Sequence, residues 1–473
     1  MEKFASWTGF FNDTIYTWIL IPLLLIVGVL YTVQLKCGQF THLKHVLKLL
    51  TEPAKEQQNG EKGISPFKAF TISAASHIGT GNIVGVAGAI AAGGPGAVFW
   101  MWVIALIGGA SSFVENTLGQ IFKEKNSDGT FRGGPAYYMT HALGLPKLGI
   151  VFSIVISVVY GFMFNSIQAN TIASAFSNSY GVKEYVVGAV LIVVVALVIF
   201  GGVRRIADVT SLLVPFMAIA YMGLALLIIF KNITLVPSMF AIIFRSAFSL
   251  QAVAGGTLGA AILNGVRRGL FSNEAGMGAV PNASSTADVT HPAKQGLIQA
   301  LGVYMDTILV CSATAFIIIL AGQEVYMDPN LKGIAITQTA LAHEVGPWAH
   351  TFLTFCVLMF AFSSVIGNYY YGENNIQHLG WGKTALNFYR VLVLGMVFVG
   401  CVADFSIVWD TGDIFMGIMA TINLVVLIKL GKIAIEAYQD YFSQLKSGKE
   451  PEFHISNLKT LKGLEDKIGC WKK

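Results

Sequence analysis

The sequence predicts an all-α membrane protein of about eleven transmembrane helices, built as a five-plus-five inverted repeat behind one extra amino-terminal helix. Three observations lead there. First, 54% of the 473 residues are hydrophobic and only 12% are charged, and several apolar runs reach the roughly 20 residues needed to cross hydrocarbon. Second, the apolar runs fall at 14–36, 66–92, 95–122, 148–178, 184–200, 211–230, 246–266, 294–320, 348–371, 384–401 and 411–431, which is about eleven spans. Third, the second and seventh runs are interrupted by glycine clusters. Once the first run is set aside they stand at corresponding places in two five-helix halves, the pattern that points to an inverted-repeat transporter.

Taken in order, the run at 14–36 lacks a basic amino-terminal flank and a small-residue cleavage site, so it reads as a retained helix and no processing is expected. Four regions follow: 1–65, the extra helix with its loop; 66–230, the first repeat; 231–431, the second repeat; and 432–473, a cytoplasmic tail expected as a short amphipathic helix with a flexible end. Lys44, Lys48, Lys55 and Lys62, then Lys123, Lys125 and Arg132, then Arg204 and Arg205, then Arg267 and Arg268, and the Lys-rich tail all alternate onto one side. The positive-inside rule makes that side the cytoplasm, with the amino terminus outside. The net charge of +5 therefore reports topology rather than a nucleic-acid partner; the surroundings are membrane lipid. The five cysteines have no metal-ligand spacing and read as free thiols.

The first interruption is "SHIGTGN", residues 76–82, in the middle of an apolar segment. A helix broken at membrane depth leaves backbone groups unpaired at several kcal/mol each unless protein, water or ligand satisfies them. Gly79 and Gly81 permit the break, while Thr80 and Asn82 bring polar side chains to it. The second interruption is placed at "AGGTLG", with Gly255, Gly256 and Thr257. For that cluster alone, small-residue helix packing is the more common explanation; for "GTGN" a buried Asn argues for a site. No paired carboxylates, HExxH set or nucleophile beside a base accompanies them, which weighs against an enzyme. A channel fits two occluding breaks poorly.

Four ordered motifs carry a family resemblance: "GTGNIVGVAGAIAAGGPGAVFWMWVIALIG" (79–108), "GGPAYYM" (133–139), "FSNEAGMGAVPNASSTA" (271–287) and "YYGE" (370–373). Together they resemble the alanine or glycine:cation symporters of bacteria and archaea, over nearly all of the membrane domain. The resemblance implies a leucine-transporter-like fold in the cytoplasmic membrane, carrying small neutral amino acids, alanine, glycine or serine, with sodium. A proton-coupled carrier of the same fold is the alternative.

A zwitterion needs a partner for each pole. A half-helix starting near Asn82 offers free N–H groups for the carboxylate, and one ending near Ala254 offers carbonyls for the ammonium. Thr80, Gly81, Asn82, Gly255, Gly256 and Thr257 are accordingly the expected substrate residues. Gln168 joins them, at a position where the resemblance also implies a binding glutamine. By fold analogy Ser363 and Ser364, with the carbonyls of Ala75 and Ile78, would hold sodium, since neutral oxygens suffice for a monovalent hard cation. Many members of the family carry tryptophan where this chain has Asn368, which implies a differently shaped and more polar pocket wall. His77 reads as a structural histidine. Glu115 and Asp306 are intramembrane carboxylates and so candidates for a cation or proton, and "FSNEAGMG" reads as a gate or structural loop with no role given to Glu274.

Overall fold

The computed structural model describes residues 2–53, 63–248 and 257–471, and nearly all of them are helical. In chain order, α1 (Thr8–Gln34) is followed by a broken pair, α2 (Pro66–His77) and α3 (Val84–Gly93). Next come α4 (Gly96–Ile121), α5 (Pro146–Tyr180), α6 (Glu184–Ile199) and α7 (Gly202–Lys231). A second broken pair, α8 (Thr257–Asn273) and α9 (Pro281–Ser284), precedes α10 (Pro292–Leu320), α11 (Trp348–His378), α12 (Gly382–Val402) and α13 (Phe405–Lys446). Among the described residues, 8 helices are long and apolar enough to cross a membrane: α1, α4, α5, α7, α10, α11, α12 and α13. The chain is a multi-pass membrane protein.

Three differences from the sequence reading have physical causes. The seventh span is shifted along the chain. Val236–Ala247 forms a separate helix, and α8 runs from Thr257 through Gly259 to Asn273 before it breaks at 274–280. The apolar run stops early because α8 carries Arg267 and Arg268. These two do not belong to the basic loops: Arg268 pairs with Asp413 of α13, and Arg267 with Asp13 at the start of α1. Buried Asp413 compensates the guanidinium charge inside the helix bundle, and an arginine in a membrane helix requires such a partner. The third difference is the tail. The last helix is continuous for 42 residues through position 432, and the segment after it is not a loose end.

The described residues of the remaining basic loops share one face. Arg204 donates to Asp128 O at 3.1 Å, Lys123 to Ala287 O at 2.7 Å, and Lys294 to Glu52 at 2.7 Å. The carboxy-terminal segment straps across this face: Phe453 N donates to Thr290 O at 3.0 Å and Trp471 Nε1 to Gln120 O at 3.0 Å. A two-residue-per-strand hairpin, β1 (Glu124–Lys125) with β2 (Phe131–Arg132), lies on the same face. There the His141 hydrogen bond, helped by the Arg132 guanidinium, holds the Glu124 carboxyl below its ordinary range.

Candidate substrate and ion site

The first break begins where α2 loses its amides. Ser65 caps the start of α2 by accepting from Lys68 N at 3.2 Å, with Pro66 in the first turn. At the other end, Gly79 N turns to Asn82 Oδ1 at 2.9 Å and Thr80 N to Gln168 Oε1 at 3.1 Å. Those are the amides that would have bonded the carbonyls of Ala75 and Ser76 four residues back. Both carbonyls are thereby freed at mid-protein. Thr80–Asn82 form one tight turn, and α3 then starts without a side-chain cap, so its first turn keeps donor capacity.

The second break is wrapped around a carboxylate. Glu274, Gly276 and Gly278 have φ of 55°, 81° and 80°, the left-handed region in which glycine is unstrained. Glu115 of α4 accepts from Gly276 N at 3.1 Å, Gly278 N at 2.9 Å and Asn423 Nδ2 at 2.9 Å. Three donors converge on this one buried carboxyl group, which makes Glu115 the anchor of this loop.

The two breaks touch. A Cβ on Gly81 would lie 2.9 Å from Phe271 Cδ1 and 3.2 Å from Ser272 Cα, so only a residue without a side chain lets the segments approach this closely. Asp306 joins them from a π-helical turn of α10, accepting from Asn82 Nδ2 at 2.6 Å, Ser272 Oγ at 2.6 Å and Thr307 Oγ1 at 3.0 Å. On the α11 side, Ser76 Oγ lies 2.6 Å from Asn368 Oδ1 and 3.0 Å from Glu274 Oε1. Thr80 Oγ1 and Asn368 Nδ2 are buried with no hydrogen-bond partner among the described residues. Leaving such atoms bare costs about 1–3 kcal/mol each, so they are groups a ligand would satisfy.

Ser363 and Ser364 stand on α11 beside the first break. Both hydroxyls donate to Phe360 O, at 2.8 and 3.0 Å, which leaves oxygen lone pairs to accept or ligate. Ser364 Oγ sits only 2.2 Å from where a Gly79 Cβ would be, whereas Ser363 Oγ turns toward Met217 Sδ at 3.6 Å. Ile78 and Ala75 are buried at the end of α2.

Thr80, Gly81, Asn82, Gln168, Asn368 and Ser364 thus converge. Gly255 and Gly256 lie outside the described residues. Thr257 opens α8, sixteen residues before its last residue, Asn273, or about 24 Å along the helix at 1.5 Å per residue. Among the described residues, the part of the second half that meets the first break is Phe271, Ser272 and Glu274. His77 is buried with neither ring nitrogen bonded among the described residues.

Sequence reasoning missed an aromatic cover. Phe164 and Phe271 lie 4.8 Å apart and Phe271 and Trp409 5.0 Å apart, centroid to centroid. Arg268 stacks over Trp409 at 4.7 Å while binding Asp413. Aromatic residues inside apolar runs give no signal that would separate them from core.

Two discontinuous helices meeting at buried polar groups define a membrane transporter of small solutes. The profile of the sodium:alanine symporter family matches residues 1–455, and the chain belongs to that family. It is 48% identical to the "Probable sodium/glutamine symporter GlnT" of Bacillus subtilis (strain 168), covering 98% of this chain and 95% of the relative. It is 38% identical to the "Sodium/proton-dependent alanine carrier protein" of Bacillus sp. (strain PS3), covering 88% and 97%. Its fold is similar to that of a manganese transporter of Eremococcus coleocola, with a TM-score of 0.55 at 12% identity over 91% of this chain and 94% of that one. The protein is a cation-coupled amino-acid symporter and not an enzyme.

Proposed function

We propose that this symporter imports small neutral amino acids, alanine and glycine first among them and serine with them, by sodium symport through alternating access. One observation carries the reading: at "SHIGTGN" the end of α2 loses its amide partners and α3 starts without a side-chain cap, so the break supplies carbonyls and amides within a few residues of each other. Donors there suit the substrate carboxylate, and carbonyls suit its ammonium or a cation. Thr80, Gly81, Asn82, Gln168 and Asn368 line the substrate position, the second break supplying the facing wall. The carbonyls of Ala75 and Ile78 with the hydroxyls of Ser363 and Ser364 hold sodium as a transported ion. The basic face is cytoplasmic, the amino terminus is outside, and the helices from α2 to α13 form two five-helix repeats.

Sodium is sufficient energetically. One charge moving through 100 mV releases about 2.3 kcal/mol, and a tenfold gradient adds roughly 1.4 kcal/mol. Radiolabelled uptake into proteoliposomes, with alanine, glycine, serine and glutamine in parallel, tests the reading. Alanine accumulation that requires an inward sodium gradient and grows with an inside-negative potential is expected. Accumulation that ignores sodium at fixed pH removes the coupling ion; accumulation of glutamine alone removes the substrate assignment.

A further inference from the structure

Among the described residues, five carboxylates are buried within the helical core, and their partners divide them. Asp413 and Glu373 face Arg268 and Arg390. Glu115 and Asp306 each accept three hydrogen bonds from neutral donors. Glu274 has neither. It is 1% exposed, Ser76 Oγ is its one donor within hydrogen-bonding distance, and Oε2 has no partner among the described residues. No salt bridge reaches it among those residues.

The groups around it include no cation among the described residues. The Tyr160 hydroxyl points its hydrogen at it from α5 and Tyr371 faces it from α11, the ionisable groups acting on it from α10 and α4 are the acids Asp306 and Glu115, and α2 contributes Ser76, next to the His77 ring. Ser76 also carries only one hydrogen. It lies closer to Asn368 Oδ1, 2.6 Å against 3.0 Å, and if Asn368 takes that hydrogen, the contact with Glu274 must be made by a proton on the glutamate. A flipped Asn368 amide would release the hydroxyl hydrogen, and Ser76 with the Tyr160 hydroxyl would then give Glu274 two neutral donors and no cation, against three donors on Glu115 and three on Asp306.

Glu274 also bridges the moving parts. It sits at φ 55° in the second break and touches Ser76 at the end of α2, so any cycle that separates the breaks exposes it to water. We propose that Glu274 is a proton-binding site of the transport cycle: it takes a proton from water on the loading side, holds it while the breaks are closed, and releases it to water on the other side. This rests on the sodium-symport reading only for the choice of substrate and driving ion.

The test uses proteoliposomes of the full chain enclosing a pH-sensitive dye, with an imposed sodium gradient and external alanine. Wild-type uptake is expected to acidify the lumen, with half-saturating alanine rising by up to about tenfold per pH unit where the site loses its proton. Glu274→Gln, an uncharged stand-in for the protonated acid, should bind alanine independently of pH and carry no proton. Glu274→Asp should keep acidification. Wild-type sodium-driven uptake without acidification overturns the proton site and leaves the sodium reading standing, as does acidification retained in Glu274→Gln. Loss of both signals in Glu274→Gln and Glu274→Asp alike also overturns the assignment. Proton entry that disappears in Glu274→Gln while sodium fails to drive uptake supports the site and removes the sodium reading.

Discussion

The two helix breaks solve one problem in opposite ways. At 79–83 no residue has positive φ, and side chains close the gap: Asn82 binds Gly79 N and Gln168 binds Thr80 N. At 274–280 the backbone itself turns left-handed, and a remote carboxylate, Glu115, gathers the amides. Glycine accordingly does different work in each. Gly81 permits contact with Ser272, whereas Gly278 permits a conformation. The first break leaves Thr80 Oγ1 without a partner among the described residues, whereas the amides of the second are held by Glu115.

Four substitutions probe that contrast. The largest effect belongs to Glu115→Ala, which strands Gly276 N, Gly278 N and Asn423 Nδ2 without their acceptor. Leaving buried donors unpaired costs about 1–3 kcal/mol each, and thermal melting of the detergent-purified protein should show a large loss of stability. Next is Gly278→Ala. At φ 80°, with a Cβ 2.8 Å from both Asn423 Cγ and Pro135 Cγ, it should cost about 1–3 kcal/mol and lower stability before selectivity. Gln168→Ala removes the acceptor of Thr80 N, worth about 1 kcal/mol; it should raise half-saturating substrate with little change in melting. A melting loss as large as that of Glu115→Ala would make the two breaks alike. The smallest effect is expected of Ser364→Ala, which should raise half-saturating sodium by about threefold, the equivalent of about 0.6 kcal/mol, without reordering the amino acids transported. Unchanged sodium dependence in folded protein would remove Ser364 from the ion position.

Much of this was legible in the sequence because membrane burial is written in composition. Long apolar runs, the basic loops and the "GTGN" interruption need no tertiary information. The second break was not, and the reason is specific. Gly255 and Gly256 stand inside an apolar run, where a break is conspicuous, while "NEAGMGA" follows Arg267 and Arg268 and has the composition of a polar loop. Asp413 lies 145 positions from Arg268, so its compensation of the arginine charge, which allows α8 to continue into the protein interior, is invisible locally. The signal that could have found the break was Glu274-Ala275-Gly276-Met277-Gly278 itself, two glycines at i and i+2 beside an acid before Pro281. The structural role of Glu115 was likewise hidden, since its three donors come from Gly276, Gly278 and Asn423.

The most direct test is calorimetric titration of alanine into purified, monodisperse Gly81→Ala at saturating sodium, with melting recorded on the same sample. The added methyl meets Phe271 and the Ser272 backbone at the point where the substrate carboxylate must approach. Binding should fall by at least about a hundredfold, roughly 2.8 kcal/mol, while the melting temperature stays nearer wild type than that of Gly278→Ala. Wild-type affinity in a folded Gly81→Ala protein would contradict a substrate site made from the broken helix.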